Sequence, residues 1–355
     1  MTSRDEALAA LAKVIDPELR KPITELGMVG EITGTSIAIK LTVPTCPAAE
    51  KIRAEAQQAI DHLGLTAALT VMTQDERNAL KEQLRAGKPP RTNPFDENTL
   101  TRVFLVGSGK GGVGKSTLTA NLAVALAQQC FSVGLIDADI FGYSIPGQLG
   151  IKDKPTQLDE MILPPVAFGV KVISIGMFVD GSQAVAWRGP MLHRTIEQFL
   201  KDVFWGQLDF LLIDMPPGTG DVAISLGQAL PTARSLVVTT PQEAAAEVAL
   251  RSGAVGIQTG QSVFGVIENM SWLVQPDGSK LELFGTGGGL AVSKHLETSL
   301  LGQVPLSIAL REGSDRGMPV ILGSPEDPAS LEIAKLAQKI VESKLDLKGK
   351  RLPLA

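Results

Sequence analysis

Between residues 103 and 128 the chain reads Val103-Phe104-Leu105-Val106, then Gly107-Ser108-Gly109-Lys110-Gly111-Gly112-Val113-Gly114-Lys115-Ser116-Thr117, then a helix-like stretch from Leu118 to Gln128. An apolar run, a glycine-rich bend and a helical run make strand, loop and helix, which commits this part of the chain to layered α/β architecture. Gly109, Gly111, Gly112 and Gly114 let the backbone turn its N–H groups inward. With those of Val113, Lys115, Ser116 and Thr117 they surround an anion at the positive end of the following helix. Lys115 sets a cation against the β and γ oxygens of a nucleotide, and the Ser116 hydroxyl is placed to ligate magnesium. A glycine-rich turn that binds nothing needs neither the lysine nor the hydroxyl, so a phosphate-binding loop is expected.

Short apolar runs recur from residue 102 onward, at Arg102–Val106 just before this loop and then at Ser132–Ile136, Val170–Ile175, Phe210–Ile213, Ser235–Thr239 and Val263–Ile267, separated by helical stretches. Such runs suit strands buried on both faces, so the expected fold is a doubly wound, mostly parallel sheet. Ahead of it the pattern differs. A helix is expected from Asp5 to about Val14, a hairpin over 27–43 around Thr33-Gly34-Thr35-Ser36, a helix from about Ala48 to His62 and a strand from Ala67 to Thr73. Residues 85–99 hold three prolines and a glycine without periodicity and read as a linker. The expected organisation is a small α+β domain over 1–84, a linker over 85–99 and the larger α/β domain over 100–355.

With 355 residues there is ample chain for two cores, and a net charge of -5 without a basic block argues against nucleic acid as a partner. No apolar stretch reaches the roughly 18–20 residues of a membrane span, and acids stand close to the start, so a cytoplasmic chain without stable membrane association is expected. The two cysteines, Cys46 and Cys130, lie far apart and should both stay reduced. His62, His193 and His295 show no metal-ligand spacing.

Two segments add carboxylates. Leu135-Ile136-Asp137-Ala138-Asp139 ends one strand with two carboxylates that point to the same side, since residues two apart share a face of a strand, and one of them could hold magnesium through water. Phe210-Leu211-Leu212-Ile213-Asp214 ends another with a carboxylate suited to supporting magnesium at the sheet edge. Met215-Pro216-Pro217-Gly218-Thr219-Gly220-Asp221 follows, stiffened by prolines and freed by glycines, as a segment that a γ-phosphate could order.

Lys110 near the loop's start resembles the extra lysine of the MinD, ParA and nitrogenase-iron-protein class of ATPases. That resemblance implies a head-to-head homodimer in which Lys110 reaches the facing subunit's nucleotide. It also implies that Asp139 orients the attacking water, with Asp137 nearer the metal, and that Asn269 and Pro305 line the adenine. The guanine-selective Asn-Lys-x-Asp pattern is not found, which favours ATP.

More of the chain resembles the Mrp/ApbC family of iron-sulfur carrier ATPases. The matching segments are Gly107–Thr117, Asp137–Gly142, Trp187-Arg188-Gly189-Pro190-Met191, Gln198–Leu200, Trp205–Asp221, Ile267-Glu268-Asn269-Met270-Ser271 and Phe284–Gly289. Asp16-Pro17-Glu18-Leu19 and Leu41–Pro47 are similar to the PaaD-like domain that precedes many bacterial members. The resemblance implies an ATP-hydrolysing homodimer that binds iron-sulfur clusters transiently and passes them to apoproteins, together with other assembly factors.

One departure bears on this. The family's Cys-x-x-Cys after Glu-Asn-Met-Ser is replaced here, with Gln275 and Gly278 where the cysteines would fall. Neither supplies a soft thiolate. Cys46, before Pro47 at an expected helix start, is the remaining candidate ligand, because a helix dipole there would favour thiolate. Cys130 is expected in the core. The alternatives are a nucleotide-switched positioning protein and a cluster-free ATPase adaptor whose clients bring the ligands.

Overall fold

The computed structural model describes residues 4–43, 46, 48–85, 92–140, 142–178 and 189–343. Readings placed on Pro44, Thr45, Pro47, Phe141, Trp187, Arg188 and residues 86–91 of the linker lie outside the described residues. The chain forms two compact units, the first combining residues 1–92 with Asp153–Val166 and Asp202–Phe204.

In the first unit the elements are α1 (Arg4–Leu11), β1 (Val29–Thr33), β2 (Ser36–Leu41), α2 (Ala49–Ile60), β3 (Thr66–Val71) and α3 (Gln74–Arg85). β1 and β2 pair antiparallel about Thr33 and Ser36, with Gly34 in the left-handed region at φ 62°. β3 runs parallel to β2, as the crossover through α2 requires. Ile37, Ile39 and Leu41 alternate inward along β2 and meet Leu11, Ile23, Leu26, Met28, Ile52 and Ile60 in the core.

The core is completed from a distant part of the chain. Thr156–Leu158 and Met161–Leu163 form an antiparallel hairpin, turning at Asp159 with φ 54°. Its Leu158, Met161 and Leu163 are buried in this first core, and Lys81 Nζ holds Asp159 Oδ2 at 2.6 Å. These residues fall inside the 100–355 span read as the larger domain, yet Asp153–Val166 group with the first unit. The hairpin joins that unit because its apolar face needs a core to cover it. Thr156 Oγ1 also donates to Glu18 Oε1 at 2.9 Å, and burial pushes the Glu18 carboxyl up to about 7 against that hydrogen bond.

α3 is absent from the expectations. It carries few apolar residues, so its periodicity is faint, yet it begins with a reciprocal cap. Glu76 N donates to Thr73 Oγ1 at 3.3 Å and Thr73 N to Glu76 Oε2 at 2.8 Å.

The second unit has the expected sheet. Its strands β4 (Arg102–Ser108), β5 (Val133–Asp137), β6 (Val170–Ser174), β7 (Phe210–Asp214), β8 (Arg234–Thr239), β9 (Ser262–Val274) and β10 (Leu300–Leu306) pair in parallel in the order β6-β5-β7-β4-β8-β9-β10. β5, β6 and β7 are buried at every position, as strands covered on both faces must be. β10 was not expected, because Gly302 and Pro305 interrupt its apolar run.

The helix α4 (Lys115–Gln128) is buried along most of its length. The C-terminal helix Pro328–Glu342 lies on β10 and α4, burying Ile333, Leu336 and Ile340, while Leu331 is exposed. Its apolar face is therefore occupied by the protein itself. Among the described residues no helix is long and apolar enough to cross a membrane. Cys130, expected in the core, is exposed instead. It takes φ 66° just past the end of α4, and its N–H closes the turn on Ala127 O at 3.0 Å.

Candidate functional site

β4 ends at Ser108 and α4 begins at Lys115, so the six residues between them form the loop, with Gly112 and Gly114 both at φ 79°. An L side chain at either is strained. Gly109 is constrained by space instead, since a Cβ there would stand 2.3 Å from the carbonyl carbon of Val248 in the helix Glu243–Gln258. A Cβ on Gly114 would stand 2.3 Å from Asn269 Nδ2. Gly111 and Gly112 are exposed at the tip and Val113 is buried beneath them.

Sheet register brings the acids to the loop. Asp214 closes β7 opposite Val106 of β4 on one side and Asp137 of β5 on the other. Lys115 Nζ lies 2.7 Å from Asp214 Oδ2, and both side chains are buried. Ser116 Oγ donates to the same oxygen at 2.6 Å and Thr119 Oγ1 to Oδ1 at 3.0 Å. Burial pushes the Asp214 carboxyl above its ordinary value, while the ammonium and the two hydroxyls pull against it. Lysine, hydroxyl and carboxylate, three groups separately singled out in the sequence, thus satisfy one another.

Asp137 is fully buried, and its carboxylate accepts from Ser174 Oγ at 3.1 Å and from the N–H groups of Asp139, Ser144 and Ile145, each at 3.2 Å. Burial, with the neighbouring Asp214 charge adding, pushes this carboxyl up to about 7. Asp139 does not share a strand face with it, because β5 stops at Asp137. Its Oδ1 accepts instead from Gly142 N at 3.0 Å, in the turn beyond the strand.

The segment after Asp214 is tied back to the loop's start. Met215 N donates to Val106 O at 3.0 Å and Gly218 N to Ser108 O at 2.8 Å, with Gly218 at φ 90°. Lys110 Nζ donates to Gln242 Oε1 at 3.1 Å. Asn269 Nδ2 donates to Val113 O at 2.9 Å, so its carboxamide holds the loop's backbone. Met270 beside it sits at φ 58°, and the β9–β10 register slips between Asn269 and Leu273. Pro305 is buried on β10, next to Val304, the register partner of Asn269.

Sequence reasoning missed Thr119, Ser174 and Gln242. Thr119 stands three residues after Ser116 on one helix face, a spacing readable in advance. The other two are brought in by the sheet and carry no local signal.

The cysteine readings change. Cys46 is buried, and burial with the nearby Glu18 pushes its thiol up to about 11, although Ala48 and Ala49 N–H groups at the helix start favour thiolate. Desolvation outweighs the helix end, so Cys46 is a protonated thiol at neutral pH rather than the expected thiolate. Labelling the native protein with iodoacetamide is therefore expected to modify Cys130 rapidly and Cys46 only slowly or on unfolding; equal rates would contradict this.

Where the family's two cysteines would fall, a closed turn stands. Gln275 N donates to Ser279 O at 2.8 Å and Gly278 N to Gln275 O at 2.9 Å, with Gly278 at φ 82°. Asp277 Oδ1 accepts from Ser279 N at 2.9 Å, and Lys280 Nζ lies 3.7 Å from the Trp272 ring centroid. Among the described residues no three histidine, cysteine, aspartate or glutamate side chains gather to hold a metal ion.

This fold and loop define a P-loop NTPase. Residues 99–341 match the family model described as ParA, NUBPL iron-transfer P-loop NTPase, and residues 4–71 match that of an iron-sulfur cluster assembly protein. The iron-sulfur cluster carrier protein of Mycobacterium tuberculosis is 50% identical over 361 residues, covering 97% of this chain and 95% of that one. A nucleotide-binding protein of Archaeoglobus fulgidus, solved with ADP, is 34% identical with a TM-score of 0.58, over 67% of this chain and 96% of that one. The septum site-determining protein MinD of Pyrococcus horikoshii, solved with Mg-ADP, is 25% identical with a TM-score of 0.52, over 70% of this chain and 98% of that one. The chain belongs to the ParA-type iron-transfer P-loop NTPases.

Proposed function

We propose that the protein is a cytoplasmic, homodimeric ATPase that carries iron-sulfur clusters to apoproteins. The observation that carries the nucleotide part is the loop itself, with Lys115, Ser116 and Asp214 gathered within hydrogen-bond reach beneath it. The carrier part rests on the family and on the name of the Mycobacterium tuberculosis relative.

Gly109 to Thr117 present their amides to the phosphates, while Lys115 leaves Asp214 for the β and γ oxygens. Asn269 and Pro305 border the adenine. The donors near the loop suit magnesium, a hard ion that takes one or two carboxylate or hydroxyl oxygens and keeps several waters. Ser116 would hold it directly, with Asp214 and Asp137 behind, and the ion would neutralise charge on the phosphates. Asp139, once released from Gly142 N, orients the attacking water for in-line displacement. Lys110 adds its charge from the facing subunit.

The cluster is cargo, and the chain has few thiols for it. With the Gln275–Gly278 turn closed and Cys46 protonated, the recipient or an assembly factor completes the ligand set. That same turn favours a second reading, an ATPase adaptor that never holds a cluster.

Anaerobic incubation with iron and sulfide, with and without Mg-ATP and an apoprotein acceptor, separates the two. A carrier develops visible thiolate-to-iron absorption that moves to the acceptor. A protein that hydrolyses ATP but stays colourless and leaves the acceptor's loading unchanged is the adaptor.

A further inference from the structure

Gln242 stands between the end of β8 and the helix Glu243–Gln258. Its backbone carbonyl accepts from Ala245 N at 3.0 Å and Ala246 N at 3.1 Å, which starts the helix whatever the side chain. The side chain does something separate. Its Oε1 accepts Lys110 Nζ at 3.1 Å across 132 positions of sequence. About two turns further on, the same helix seats the residue before Lys110, since a Cβ on Gly109 would lie 2.4 Å from Ala249 N. Backbone contact and ammonium hydrogen bond together hold this end of the loop on one helix.

The two loop lysines are held in chemically different ways. Lys115 is paired with a buried carboxylate, whereas Lys110 meets a neutral carboxamide. A neutral acceptor gives up an ammonium to phosphate oxygens without leaving an uncompensated charge behind. A carboxylate at the same place would hold it more tightly, since hydrogen bonds between two charged groups are the stronger kind.

We propose that Gln242 is a positioning residue that parks Lys110 on its own subunit until a triphosphate in the facing subunit draws it away. This rests on the reading of Lys110 given under the proposed function. Parking lowers the fraction of protomers with Lys110 free, so it restrains turnover without touching the nucleotide.

The test measures kcat, KM and binding of a fluorescent ATP analogue for the full chain and for Gln242→Glu, Gln242→Ala, Lys110→Ala and the Lys110→Ala, Gln242→Glu double variant. Gln242→Glu is expected to lower kcat roughly tenfold, the size of one added charge-assisted interaction. Its analogue affinity should stay within about twofold of wild type, because the contact is absent from the binding step. Gln242→Ala is expected to turn over faster than wild type. In the Lys110→Ala background, Gln242→Glu should change nothing further, which isolates the pair.

Alanine and glutamate variants that both match wild type would overturn the proposal, as would alanine slowing turnover as much as glutamate. A glutamate effect that persists without Lys110 would mean direct repulsion of phosphate and would overturn it too. A wild-type chain that binds no ATP analogue removes the nucleotide reading itself, a result distinct from all of these.

Discussion

Lys115→Ala is expected to abolish measurable ATP turnover and also to destabilise the second unit, for two separable reasons. Turnover falls by roughly 100- to 1,000-fold because a preorganised cation aimed at the transferring phosphoryl group is lost. Stability falls because Asp214, fully buried, loses the ammonium 2.7 Å away. Breaking a buried pair by removing one partner costs about 3–5 kcal/mol when the remaining charge stays unpaired. The Ser116 and Thr119 hydroxyls remain as donors, and the Asp214 carboxyl can take up a proton, which lessens the loss. Adding Asp214→Asn to Lys115→Ala should restore most of the stability in urea titrations and none of the turnover. A Lys115→Ala protein that hydrolyses ATP at the wild-type rate would remove this loop from the chemistry altogether.

The second large effect concerns the first unit. Residues 1–92 expressed alone lack Leu158, Met161 and Leu163, which are 1%, 7% and 0% exposed in the intact chain. Burying each such side chain is worth about 1.5–3 kcal/mol, so their absence removes roughly 5–9 kcal/mol, as much as the whole stability of many small domains. Glu18 also loses the Thr156 hydroxyl. The fragment is expected to show no cooperative unfolding transition, and fusing residues 153–166 to it through a flexible linker should restore one. Equally steep transitions with and without the hairpin would show that the first core closes unaided.

The parts of the site legible in advance were those written locally. The loop's glycines, Lys115 and Ser116 lie within a few residues of one another, and the run before Asp214 could hardly be anything but a buried strand. Contacts made through sheet register left no such trace. Nothing near Asp137 announces that it will stand opposite Asp214, or that burial will hold its carboxyl near 7. The pairing of Asp137 with Asp139 failed on a single residue, the point at which β5 ends. Cys46 failed on depth, because a helix start can be read from sequence and desolvation cannot. α3 was readable after all. Thr73 and Glu76 have the spacing of a reciprocal cap, but a search led by apolar periodicity passes over a helix this polar.

The distant origin of the hairpin also orders events on the ribosome. When residue 92 has emerged, α1 to α3 and their small sheet exist as sequence, but the apolar face they share is still uncovered. β4, the glycine loop, α4 and β5 must be translated before residues 156–163 arrive to cover it. The nascent chain therefore exposes an unfinished surface for the time taken to make some sixty further residues, a few seconds at usual elongation rates. A holding chaperone would find its target in that interval, and a stop codon placed before residue 156 would leave the N-terminal unit permanently open.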